Sequence, residues 1–180
     1  MSNRPTLSTE RLILRPFILD DAPRVKKLAG EKAIASTTLN IPHPYEDGMA
    51  EDWIETHAEA FEKGESVTFA IVPKQENALI GAVGLDVNAV HDRAEMGYWI
   101  GAPYWSNGYA SEAARAVLEY GFVERKLNRI CASHLSRNPA SGRVMRKIGM
   151  THEASFRAHV KKWEKFEDLE VYGILKDEFK

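Results

Sequence analysis

Residues Tyr98 to Ala113 read Tyr-Trp-Ile-Gly-Ala-Pro-Tyr-Trp-Ser-Asn-Gly-Tyr-Ala-Ser-Glu-Ala, an apolar strand that passes through a short glycine-containing loop into a helix. Counting supports the helix: Ala110, Ala113, Ala114, Val117, Leu118, Gly121 and Phe122 form one apolar stripe, and Ser111, Glu112, Arg115 and Glu119 lie off it. At a helix start the first-turn backbone N–H groups lack intrahelical partners and the macrodipole places partial positive charge there, so the junction can hold an anion such as phosphate. Ser106, Asn107, Gly108, Tyr109, Ala110 and Ser111 would form the cradle, with Gly108 allowing close backbone approach and Ser106, Asn107 and Ser111 able to cap or to donate. No Gly-x-x-x-x-Gly-Lys-Ser/Thr is present, and no Gly-x-Gly-x-x-Gly follows a strand.

Working outward, strands are expected at Leu12 to Phe17, Val67 to Val72, Leu79 to Val87, Arg93 to Ile100, Arg129 to His134, Thr151 to His159 and Leu169 to Leu175. Between them, a helix after Leu12 to Phe17 is expected to be capped by Asp20 or Asp21, with Pro23 in its first turn. A loop with Pro42 and Pro44 precedes a helix from about Glu46 to Lys63, with Trp53, Ile54, His57, Ala58 and Phe61 on its apolar face. The polar turn Lys74-Gln75-Glu76-Asn77 joins two strands, and Asn138 with Pro139 reads as the N-cap and first position of a later helix. Strands outnumber helices and some connections are hairpins, which predicts an α/β (α+β) mixed central sheet of about seven strands with helices on both faces.

The 180 residues, 44% hydrophobic and 28% charged, suit a single domain over residues 1–180 with a full core. A formal net charge of −2 gives no general field for nucleic acid. No apolar run approaches the roughly 20 residues of a membrane helix, so no membrane partner is expected. The lone Cys131 excludes an internal disulfide and reads as a small buried hydrophobe; with the start Met-Ser-Asn-Arg-Pro-Thr, which has no apolar leader core, it points to the cytoplasm. The 6 histidines show no ligand spacing, and no metal is expected.

Several segments in order resemble the GCN5-related N-acetyltransferases, in particular the branch that acetylates ribosomal-protein N-termini. They are Thr9-Glu10-Arg11-Leu12-Ile13-Leu14-Arg15, Ile41-Pro42-His43-Pro44-Tyr45, Glu95-Met96-Gly97-Tyr98-Trp99-Ile100, Trp105-x-x-Gly108-Tyr109-Ala110-x-Glu112-Ala113, and Asn138-Pro139-Ala140-Ser141 ahead of Lys147-Ile148-Gly149-Met150. The resemblance implies a splayed central strand pair, here Glu95 to Ile100 and Arg129 to His134, and acetyl-CoA as co-substrate with its pyrophosphate in the cradle. Its pantetheine arm would add to the strand Tyr98, Trp99, Ile100 by main-chain hydrogen bonds, with Asn138 and Ser141 contacting it from the next helix.

Transfer of an acyl group from a thioester to an amine requires a neutral amine, stabilisation of the developing oxyanion, and a proton for the departing thiolate. A protein α-amine, with a pKa of about 7.7–8.0, needs only a weak base, whereas a lysine near 10.4 is almost wholly charged. Glu95, where resembling enzymes often keep a carboxylate, is the candidate base, although the position also suits a plain salt-bridge partner. Backbone N–H groups of the Tyr98 to Ile100 strand would hold the oxyanion. Many relatives carry a tyrosine seven residues after the asparagine; here Met145 stands there and cannot donate. Ser141 is the replacement expected from the resemblance, and Tyr172 a second donor.

The helix near Glu46 to Lys63 carries Glu46, Asp47, Glu51, Asp52, Glu55, Glu59 and Glu62, either an acidic rim that attracts a cationic acceptor or a solvated face. The loop Leu39 to Tyr45 is placed to pack on the acceptor's first side chain. The resemblance thus implies acetylation of a protein N-terminal amine, by a monomer or homodimer. The alternatives are acetylation of a small amine (an antibiotic, a polyamine or an amino-acid derivative) and an acyl-CoA-binding regulator without catalysis.

Overall fold

The computed structural model describes residues 4–76 and 78–180; Met1, Ser2 and Asn3 of the start read as lacking an apolar leader core, and Asn77 of the predicted polar turn, lie outside them. One sheet carries β1 (Leu7–Ser8), β2 (Leu12–Arg15), β3 (Ser66–Pro73), β4 (Gly81–Asn88), β5 (Arg93–Ile100), β6 (Arg129–Leu135), β7 (Thr151–Lys162) and β8 (Lys165–Leu175). Their spatial order is β1-β2-β3-β4-β5-β6-β8-β7, and every neighbouring pair is antiparallel except β5 and β6. Parallel neighbours need a long crossover, and α4 (Tyr109–Val123) supplies it. The strand beyond the expected seven or so is the two-residue β1.

The remaining helices are α1 (Ala22–Ala29), α2 (Lys32–Ala35), α3 (Met49–Glu62) and α5 (Pro139–Lys147). Period-two alternation divides the strands between two cores. On β3, Val67, Phe69 and Ile71 join Ala113, Val117 and Leu118 of α4, whereas Ala70 and Val72 join Val25 of α1 and Ile54 of α3. Helices therefore cover both faces.

Local chemistry moves several predicted boundaries. Asp21 does not cap α1 with its side chain: a short 3-10 turn, Leu19–Asp21, precedes that helix. Its carboxylate instead accepts two bonds from Arg15 at 2.7 Å and the Ile18 N–H at 3.0 Å. Burial alone would raise the Asp21 pKa, but Arg15 and the Ile18 N–H outweigh it and hold the carboxyl below its ordinary range. Helix α3 begins only at Met49, after Gly48 in the left-handed region at φ +87°. Asp47, ahead of it, pairs with Lys26, and Ala58 is exposed while Ala50 is buried in its place. The C-terminal hairpin runs past its expected ends, because main-chain pairing between Lys162 and Lys165 needs no apolar alternation.

Candidate active site

Strands β5 and β6 pair only at Arg93↔Arg129, Ala94↔Ile130 and Glu95↔Cys131, and beyond these positions they splay. A cavity of about 1250 Å³ occupies the opening, lined by the start of α4, the far half of β5, the start of α5 and the loop between α2 and α3.

The cradle at its first end forms by backbone conformation. Ser106 and Gly108 both take positive φ, 65° and 80°, and Gly108 is the N-cap of α4, with no side chain capping it. Ser106, Gly108, Tyr109, Ala110 and Ser111 line the cavity. Asn107 does not: its side-chain amide donates to Tyr104 O at 3.2 Å and Trp105 O at 3.1 Å, bracing the loop from behind. Two further braces were not foreseen. Trp105 Nε1 donates to Ile100 O at 2.6 Å, and Arg11 reaches from the β1–β2 turn to donate to Asn107 O at 3.0 Å. Glu112, off the apolar stripe of α4, accepts Thr9 Oγ1 at 2.6 Å, Arg11 N at 2.8 Å and Arg11 Nε at 2.7 Å. Burial pushes the Glu112 pKa up, and these donors more than reverse that.

In the middle of the cavity the structure brings Tyr98, Asn138 and Ser141 together. Tyr98 Oη and Ser141 Oγ lie 2.7 Å apart, and the phenol also donates to Ser141 O at 3.1 Å. Burial raises the Tyr98 phenol to about 12, against a smaller opposing effect of Ser141. The Asn138 side chain makes no capping bond; the residue's backbone carbonyl accepts the Ser141 N–H at 3.2 Å, and the residue lines the cavity. Met145 is buried in the core at 1% exposure. Tyr172 is not brought to the site. It is 4% exposed and outside the cavity lining, its hydroxyl accepts Arg146 Nη1 at 2.8 Å, and its ring stacks on His134.

Glu95 sits where the splay begins and accepts the Ser133 hydroxyl at 3.0 Å. Its cross-strand partner is Asp86, a residue the sequence reading missed; the β4–β5 register puts both carboxylates on one face. Although Asp86 is exposed, the packing around its carboxyl raises its pKa, and the Glu95 charge adds to that. Both carboxylates also border a smaller cavity of about 290 Å³ with Cys131, which is half-buried rather than fully enclosed. His134 was also unforeseen. It lines the main cavity 7% exposed, with Nδ1 donating to Leu135 O at 2.8 Å and Nε2 without a partner among the described residues.

The far lobe is mostly apolar: Ile34, Leu39, Ile41, Tyr45, Met49 and Trp53 contribute to it. Of the acidic residues expected to rim it, only Asp52 lines the cavity. Glu59 instead pairs with Lys63 and Asp47 with Lys26, so that charge run is largely a solvated face. No group of His, Cys, Asp and Glu among the described residues is arranged to hold a metal ion.

Comparison with known proteins agrees with this geometry. The family described as "Acetyltransferase (GNAT) domain" matches residues 11–151. An uncharacterized N-acetyltransferase YnaD of Bacillus subtilis is 33% identical over 177 residues, 96% of this chain and 98% of that protein. Uncharacterized N-acetyltransferase p20 of Bacillus licheniformis is 31% identical over 176 residues, 97% of this chain and 98% of its own length. A GNAT-family acetyltransferase of Bacillus anthracis superposes with a TM-score of 0.86 at 30% identity, covering 97% of this chain and all of the other. The splayed strands, the cradle and these full-length likenesses make the chain a member of the GNAT family of N-acetyltransferases.

Proposed function

We propose that this chain transfers the acetyl group of acetyl-CoA to the N-terminal α-amine of a protein, by direct attack while both substrates are bound. The observation that carries the reading is one cavity that joins the Gly108 cradle, the splayed edge of β5 and Glu95 to an apolar lobe. The fit to acetyl-CoA rests on that cradle and on strand edges freed of their neighbours, which suit phosphates and amides. A solved RimL ribosomal L7/L12 α-N-protein acetyltransferase in complex with coenzyme A shares the fold, with a TM-score of 0.87 at 15% identity.

In this reading the first-turn N–H groups of α4 hold the pyrophosphate, and Tyr98, Trp99 and Ile100 offer main-chain partners to the pantetheine. Asn138 orients that arm. Glu95, directly or through a water, takes a proton from the acceptor's ammonium so that the neutral amine attacks the thioester carbonyl, and backbone N–H groups of β5 stabilise the oxyanion. Ser141 donates a hydrogen bond to the departing sulfur. A hydroxyl is too weak an acid to protonate a thiolate outright, so the thiolate leaves held by this bond and takes its proton from water; with the Ser141 proton turned to the sulfur, Tyr98 turns its one proton from Ser141 O to Ser141 Oγ. An α-amine suits this machinery because a single carboxylate suffices at its pKa of about 7.7–8.0.

The test is to mix the protein with acetyl-CoA and a panel of N-terminal peptides, polyamines and aminoglycosides, following thiol release and product mass. Faster turnover of peptide α-amines supports the reading. Preference for a small amine replaces the acceptor, and acetyl-CoA binding without turnover favours a regulator.

A further inference from the structure

The apolar lobe has a wall that is held from the opposite end of the chain. Helix α2 ends at Ala35 and α3 begins at Met49, so the intervening loop has no regular pairing of its own. Its Leu39, Ile41 and Pro42 line the cavity. Against this loop stands the β7–β8 hairpin tip. Lys162 is 6% exposed, and its Nζ donates to Leu39 O and Ile41 O, each at 3.1 Å, from 123 and 121 residues further along the chain. Arg137, ahead of α5, donates to Ser36 O and is paired with Glu167 of β8 at 3.0 Å. The Trp163 ring lies 6.0 Å from that of His43.

A buried ammonium is costly unless its donors are satisfied, and here the partners are loop carbonyls that accept no other hydrogen bond among the described residues. Burial, with the charge of Arg137 beside it, pushes the Lys162 pKa down, so the site bears that cost. The two bonds tie the loop at Leu39 O and Ile41 O in the conformation that places both residues on the wall of the lobe. We propose that Lys162 is a positioning residue of the acceptor site: it fixes the 36–42 loop as an apolar wall, and the lobe thereby selects an amine carried beside an apolar side chain. The proposal rests on the acetyltransferase reading above and adds the kind of acceptor it takes.

Lys162→Met keeps length and bulk and removes the donors. Acceptor KM for a peptide beginning with leucine is expected to rise about tenfold, with kcat within about twofold and acetyl-CoA affinity unchanged. Preference for a leucine-first over a glycine-first peptide should shrink with it. Amide hydrogen exchange at residues 37–43 should accelerate. Lys162→Arg, which keeps a charged donor, should recover much of both effects. Arg137→Met is expected to give the same pattern more weakly, and serves where Lys162→Met does not fold. An unchanged acceptor KM, or unchanged exchange in the loop, overturns the proposal. A wild-type protein that acetylates no amine overturns its acceptor half together with the reading beneath it, and loop exchange then tells that failure from a failure of the Lys162 anchor.

Discussion

At the scale of single residues, the proposed chemistry depends on Glu95 and Ser141, which differ in what removal should do. Glu95 lines the cavity without taking part in the cradle, so Glu95→Gln is expected to lower kcat by about 10²-fold or more while leaving acetyl-CoA affinity intact. Steady-state kinetics with calorimetric titration of acetyl-CoA checks both halves. Ser141→Ala removes a hydrogen bond to sulfur rather than a full proton transfer, and a loss of about tenfold in kcat is expected. The resemblance singles out both residues, and the structure places both on the cavity wall. Asp86 was not legible in the sequence, because its place opposite Glu95 depends on the β4–β5 register, and the short 3-10 turn Ala89–His91 that sets it has no clear sequence signature. Tyr172 stays off the cavity wall for a related reason. Its strand was read correctly, but alternation does not say which of two covered faces a side chain takes, and Arg146 claims its hydroxyl.

At the scale of elements, α4 and α3 show where pattern suffices and where it does not. The stripe of α4 was countable, and the element runs as read, but its N-cap is Gly108 in the left-handed region rather than a serine or asparagine. A Cβ there meets Arg11 Nη2 at only 3.5 Å, an ordinary contact, so Gly108→Ala acts by backbone strain of about 1–2 kcal/mol. Acetyl-CoA affinity is expected to fall about tenfold by calorimetry, with kcat at saturation nearly unchanged. In α3, His57 is 5% exposed between the rings of Phe17 and Trp53, at 5.4 and 4.5 Å, and neither nitrogen has a partner among the described residues. Burial first, and then the charge of Arg4, lowers its pKa to about 4. The unfolded chain therefore binds the proton more readily between about pH 6.5 and pH 4. The stability this neutral ring lends is complete above that window and is lost as pH falls through it, by up to about 3 kcal/mol. His57→Phe is expected to flatten that part of the pH dependence relative to wild type in urea melts at a series of pH values. The hairpin β7–β8 was the least legible element: Arg157 to Lys165 is mostly charged and without alternation, and the partners that bury Lys162 lie in a distant loop.

At the scale of the whole molecule, the splay leaves the sheet open at its centre. Beyond Glu95 the edges of β5 and β6 do not pair with each other, and the Tyr98–Ser141 hydrogen bonds link β5 to α5 across that gap. In the proposed binding mode a ligand that fills it adds to the free edge of β5 and ties α4, α5 and the sheet together. Ligand binding to the folded state alone stabilises by about 2.7 kcal/mol at a concentration of 100 times Kd. For a chain of this length that corresponds to a rise in Tm of roughly 5–11 °C. Acetyl-CoA is expected to produce such a shift in the wild-type protein and an equal one in Glu95→Gln and Lys162→Met, whose changes fall at the proposed base and the proposed acceptor wall. Gly108→Ala should show a smaller shift at the same ligand concentration. Scanning calorimetry of the four proteins with and without acetyl-CoA therefore separates the two ends of the cavity, and an equal shift in Gly108→Ala would contradict the assignment of the cradle.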